Sequence, residues 1–143
     1  MEGEGLNWLA VVAAAVLGFV IGGVWYTPLL LGKVWMREAG LTEEQINSGK
    51  PAQTFGTAFV ALLIMSFCLA SFIHSPATAS MEGFHNPSQQ GAFYGMLTGL
   101  GWITMASVVN DRFEQRSWKL TAVNGGYWIV TMTAMGGVLG AWR

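Results

Sequence analysis

Four stretches of this chain carry no charged side chain: residues 5–32, 51–81, 83–110 and 120–142. An α-helix needs about 20 largely apolar residues to cross a bilayer, so each stretch holds one span and none holds two comfortably. The pattern predicts an all-α, polytopic membrane protein. Its single domain, 1–143, would have four transmembrane helices, over residues 6–27, 55–73, 91–110 and 120–141, and a short interfacial helix between the first and second.

The polar segments punctuate these spans. Span one closes in Trp25-Tyr26-Thr27-Pro28, and Pro28 has no N–H and disfavours helical geometry at Thr27, which predicts a kink or break. Lys33 to Gly40 reads as the interfacial helix, with Val34, Trp35 and Met36 beside Lys33, Arg37 and Glu38, and Gly40 closing it. Thr42 with Gln45 forms a capping box for a further turn, ended by Asn47-Ser48-Gly49. Ser75 to Gln90, with Pro76 and Pro87, reads as loop. The short Asp111 to Lys119 turn makes the last two spans an antiparallel hairpin.

Composition agrees: 52% hydrophobic and 10% charged residues do not suit a water-facing surface. Charge sets the orientation. Of the seven basic residues, Lys33, Arg37 and Lys50 lie in the first connection, Arg112, Arg116 and Lys119 in the third, and Arg143 alone elsewhere. The positive-inside rule makes connections 33–50 and 111–119 cytoplasmic, with both termini and the Ser75 to Gln90 loop outside. Trp8 and Trp142 would mark the outer interface, and Trp25, Tyr26, Trp35 and Trp118 the inner one. Glu2 and Glu4 stand where a cleaved signal would carry basic residues, so the first span is expected to stay. A net charge of −1 provides no basic field for nucleic acid. Cys68 stands alone, which excludes an internal disulfide or dithiol couple.

Two constellations remain as candidates. Small residues four apart let helix backbones approach closely in lipid. They occur as Gly91, Gly95 and Gly99, as Ala10, Ala14, Gly18 and Gly22, and as Gly136 and Gly140 beside Thr133, Gly137 and Ala141. Such rows pack either within one bundle or between subunits; Gly91, Gly95 and Gly99 are the first choice for self-association and Gly18 with Gly22 the second. The other constellation is an inner polar cluster of Tyr26, Ser107, Asn110, Thr121, Asn124 and Tyr127. Asn124 lies roughly 6 Å inside its membrane edge, where an unpaired amide is costly. Hydrogen bonds from Asn110, Asn124 and Tyr127 across spans three and four, joined by Tyr26, would fix helix register; alternatively the cluster meets a small polar ligand, ion or lipid head group. Trp102 and Trp128 each need a partner or a cavity, with Gly99 and Gly101 opening room for an indole.

Much chemistry is excluded. No Asp, Glu, Lys or Arg lies deep in a span, so proton-coupled and voltage-sensing devices lack their charged residue. His74 and His85 both fall on the outer side, which does not suit intramembrane haem. No catalytic pair, metal site or cofactor is expected, although a bound lipid is compatible with the pattern.

The segment Gly23-Val24-Trp25-Tyr26-Thr27-Pro28-Leu29-Leu30-Leu31-Gly32-Lys33-Val34-Trp35-Met36, followed by Ala39-Gly40-Leu41-Thr42, resembles the family known as domain of unknown function 1761. The pattern of that family reads W-Y-[ST]-P-L-[LF]-F-G-K-x-W. A second match is Asn124-Gly125-Gly126-Tyr127, with Met135-Gly136 and Leu139 after it, where the family has N-x-G-Y and M-G-x-x-L. The resemblance covers essentially the whole chain. It departs at Leu31, where phenylalanine is usual, and at Trp128, where many relatives carry histidine, which counts against a histidine-based site. It implies a small, mainly bacterial, integral membrane protein without an assigned activity. The expected role is non-enzymatic, as a homo-oligomer or an accessory subunit of a larger complex in the cytoplasmic membrane; a small channel or passive carrier comes next, and an enzyme on a lipid-soluble substrate last.

Overall fold

The computed structural model describes residues 5–79 and 82–143, and its regular elements there are all helical. Glu2 and Glu4, on which the reading of the N-terminal flank rests, lie outside the described residues. Helix α1 (Trp8–Trp25) begins where the Asn7 side chain accepts a hydrogen bond from the Ala10 N–H. Its last turn closes at Tyr26, ahead of Pro28, as the proline requires. Helix α2 (Gly32–Ala39) ends at Gly40, whose φ of 71° is the left-handed conformation that glycine adopts freely. Thr42 and Gln45 form the reciprocal capping box of α3 (Glu43–Asn47).

Helix α1 stops inside its expected span of 6–27, whereas the other long helices start before their expected edges. Helix α4 is Pro51–Ile73. After it, α5 (Pro76–Ala79) is a single turn, and α6 (Pro87–Thr98) already includes Gln90. The Ser75 to Gln90 segment is thus not wholly loop. Both prolines open helices, a position where the missing N–H costs nothing. Beyond α6 the backbone widens into a π-type turn over Gly99–Thr104 and continues as α7 (Met105–Phe113). The Thr104 hydroxyl donates to the Gly99 carbonyl at 2.7 Å within this turn. Helix α8 (Trp118–Ala141) starts at Ser117, which caps the Leu120 N–H.

The expectation of four membrane-length apolar spans is corrected to three. Trp8–Trp25, Pro51–Ile73 and the continuous Pro87–Phe113 are long and apolar enough to cross a membrane. Helix α8 has the length, at 24 residues, and lacks the apolarity. Freedom from charge is a weaker property than apolarity: Thr121, Asn124, Tyr127, Thr131 and Thr133, with five glycines, dilute its Leu, Ile, Val and Met content. Its position explains the tolerance. Helix α8 runs through the middle of the bundle against α6, α1 and α4, whereas α4 and α6 scarcely touch.

Helix α6 packs against α8 glycine to glycine. A Cβ on Gly91 would fall on the carbonyl of Gly136, one on Gly95 on that of Met132, and one on Gly99 2.7 Å from that of Trp128; Gly136 and Gly140 meet the Gly91 and Pro87 carbonyls reciprocally. A Cβ on Gly18 would press on Leu62, Thr131 and Met135, each at 3.1 Å, and one on Gly22 on the Tyr127 hydroxyl at 3.0 Å. Gly18, Gly22, Gly91, Gly95, Gly99, Gly136 and Gly140 therefore all pack inside the chain, including those offered first for self-association. Gly101 faces open space and gives no room to an indole; Trp102 is 69% exposed on the outside of the bundle.

Candidate functional site

At one end of the bundle α2 meets α8 near its start. Because α1 stops at Tyr26, this side chain turns toward α8, and its hydroxyl donates to the Asn124 Oδ1 at 2.7 Å. Its ring lies edge-on to Trp35 of α2 and to Tyr127, with centroids 5.3 and 5.5 Å away. The Trp25 indole donates to the Val123 carbonyl at 3.0 Å, and the Tyr127 hydroxyl to the Gly18 carbonyl at 3.0 Å. Aromatic donors of α1 and α8 thus lock the two helices reciprocally. Helix α2 adds a charged contact: the Ser117 hydroxyl holds the Glu38 carboxyl below the usual carboxylate range, helped by Arg37 and Lys119 and opposed by partial desolvation.

The other expected members of the inner cluster are placed apart from this lock. Asn110 is exposed, and its side chain makes no hydrogen bond among the described residues. Ser107 donates to the Ile103 carbonyl of its own helix at 3.0 Å. Thr121 belongs to a different group: its hydroxyl donates to the Asp111 Oδ2 at 2.6 Å and accepts from the Arg112 Nη2 at 2.8 Å. The Arg112 guanidinium lies over the Trp118 ring, 3.8 Å from its centroid. Spacing along one helix grouped these residues by expected depth. It could not show that Asn110 and Tyr127 face different ways, because α7 leaves α8 after the π-type turn.

A second polar group, at the opposite end, was missed. Gln90 and Thr78 are buried; the Gln90 Nε2 donates to the Thr78 carbonyl at 2.6 Å, and the Arg143 Nη2 donates to the Gln90 Oε1 at 2.8 Å. Ser88 donates to the Gly137 carbonyl at 3.0 Å, and a His74 ring nitrogen lies 3.3 Å from the Leu139 carbonyl. The available signal was Asn86-Pro87, a cap residue followed by proline at the first helical position. It marks a helix start and places Gln90 one turn inside.

Between the two ends the interior is apolar, filled by Leu62, Leu69, Ile73, Met135 and Leu139. The Ser66 hydroxyl there is satisfied by the Val11 carbonyl at 2.7 Å. The Thr131 hydroxyl is wholly buried, one helical turn beyond Tyr127, whose hydroxyl is its polar side-chain neighbour. An open cleft of about 280 Å³ lies where α4 and α6 diverge, lined among others by Met65, Cys68, Phe72, Trp102 and Met132. No group of three His, Cys, Asp or Glu side chains suited to a metal ion occurs among the described residues.

An all-helical bundle with three membrane-length apolar helices and polar groups at its two ends defines the class. Within that class the chain belongs to the family described as Protein of unknown function (DUF1761), whose profile matches residues 9–140. No curated protein and no solved structure matches the chain.

Proposed function

We propose that the chain is a non-enzymatic, multi-pass protein of the cytoplasmic membrane that acts by assembly, with a second copy or as an accessory subunit of a larger complex. The observation that carries this reading is the disposition of polar and apolar groups. Most interior polar side chains are engaged by backbone carbonyls or by one neighbour, while α4 and α6–α7 turn Phe55, Val60, Ile64, Leu97, Trp102 and Val109 outward. The glycine rows are occupied within the chain, so the surface left for assembly is this outer one. Helix α8 would cross with the other three, its polar residues shielded by them. Connections 33–50 and 111–119 would face the cytoplasm, both termini the outside.

Native mass spectrometry in mild detergent tests the reading, since it reports copy number, co-purifying subunits and retained lipid together. A bare monomer, confirmed by cross-linking in intact membranes, would remove it. A channel or passive carrier has one observation in its favour: Thr131 continues the α8 face of Asn124 and Tyr127 to mid-bundle as a buried hydroxyl. Against it, Leu62, Met135 and Leu139 fill the interior beyond that point. Solute flux in liposomes would favour that second reading.

A further inference from the structure

Arg112 differs from the other arginines near this end of the bundle. Arg37 pairs with Glu38 at 3.4 Å and Arg116 with Glu114 at 3.5 Å. No carboxylate of the described residues lies within ion-pair distance of Arg112; the adjacent Asp111 accepts from Thr121 instead. The guanidinium is held all the same. Its Nη2 donates to Thr121, its face lies on the Trp118 ring, and its Nε is buried without an acceptor. The guanidinium is therefore oriented in advance, and because Nε is enclosed, the donors left for a ligand are those of Nη1 and the second hydrogen of Nη2. A planar fork of this kind suits a tetrahedral oxyanion, which accepts two parallel N–H bonds.

Its location limits what can fill it. Arg112 stands in the last turn of the Pro87–Phe113 span, between Phe113, 87% exposed, and Trp118, 63% exposed. An exposed tryptophan beside the end of a spanning helix settles at the level of lipid head groups. We propose that Arg112, positioned by Trp118 and Thr121, binds the phosphate of a membrane phospholipid at this end of the bundle. The inference rests on the membrane reading above and adds a ligand and a site to it. Binding this lipid would tie the α7–α8 turn to the bilayer.

The full chain is first tested for membrane integration, by resistance to alkaline carbonate. It is then purified in mild detergent and titrated with phosphatidylglycerol, with diacylglycerol of the same chains, and with inorganic phosphate, followed by native mass spectrometry. The wild type is expected to retain one phosphatidylglycerol in preference to diacylglycerol. Arg112→Gln should weaken that binding roughly ten- to a hundred-fold, the range for hydrogen bonds to a charged group. Arg112→Lys should restore part of it, and Arg116→Gln should leave it unchanged. Trp118→Leu, which leaves the charge and removes the platform, should weaken it several-fold and serves if Arg112→Gln does not fold. Equal retention of diacylglycerol by the wild type, or undiminished binding in the Arg112→Gln and Trp118→Leu variants, would overturn the inference while leaving the membrane reading intact. Inorganic phosphate that binds without lipid and displaces phosphatidylglycerol at millimolar levels would assign the site to free phosphate and overturn the lipid source. Release of the chain by carbonate would remove the membrane reading and this inference together.

Discussion

Asn124 shows how one polar residue can be carried by an otherwise apolar bundle. Its amide oxygen takes the Tyr26 hydroxyl proton at 2.7 Å, and Tyr26 is itself held between Trp35 and Tyr127. Asn124→Leu removes the acceptor and leaves the hydroxyl unmatched. Pair energies inside membranes are modest, so a loss of about 0.5–2 kcal/mol in unfolding stability is expected. Tyr26→Phe should cost a similar amount, and the double variant less than the sum of the two singles, because both remove the same bond. Strict additivity would show that the pair does not form. A second prediction concerns pH. The folded-state carboxyl of Glu38 titrates below its unfolded value, chiefly through the Ser117 hydroxyl, so its contribution is present above the ordinary glutamate value of about 4.3 and is lost as pH falls through the depressed one. Glu38→Gln should flatten the acid side of the stability profile below about pH 5 and leave its slope at neutral pH unchanged. An unaltered acid limb in that variant would contradict the assignment.

Helix pairing depends on where a Cβ can fit. Gly95 lies against the Met132 carbonyl, so Gly95→Leu forces α6 away from α8, with an expected cost of at least 1–3 kcal/mol by the measure of overpacked cores. Gly56 sits in the second turn of α4 with nothing nearby, and Gly56→Ala should be neutral or stabilise by up to about 1 kcal/mol through helix propensity alone. Thermal unfolding of the two variants checks both expectations; equal effects would refute the packing. These rows were legible because small residues four apart fall on one helical face, and the α1, α2 and α3 ends were legible because Asn7, Gly40 and the Thr42–Gln45 box act locally. The partner of each row was not legible, since it depends on which helix lies opposite. The π-type turn at Gly99–Thr104 was hidden as well: Gly-Leu-Gly-Trp-Ile-Thr reads as ordinary span, and the widening is supported by Thr104 contacts to Gly99 and, at 3.3 Å, to Gly125 of another helix.

At the scale of the molecule, the two ends are sorted by their hydrogen bonds. Asn7 reaches the Trp142 carbonyl at 3.4 Å and a His74 ring nitrogen lies beside the Leu139 carbonyl, so the chain termini and the α4–α6 connection share one end. Tyr26 with Asn124, and Glu38 with Ser117, bring the α1–α4 connection and the α7–α8 turn together at the other. The basic residues had indicated the same grouping, because Lys33, Arg37, Lys50, Arg112, Arg116 and Lys119 all fall in the connections that meet there. Charge counts could not foresee that α8 is the central and least apolar of the long helices, since burial among neighbours leaves no trace in charge. The sorted ends make orientation a single binary question. On a Cys68→Ser background, a cysteine at Ser48 and one at His85 sit at opposite ends, both exposed. The positive-inside rule expects an impermeant thiol reagent added to intact cells to label the His85 position and to reach Ser48 only after permeabilisation. The reverse pattern would invert the protein while preserving the grouping of its ends. Labelling of both sites before permeabilisation would mean that the two connections are not separated by a bilayer, and the membrane-spanning reading would fall with them.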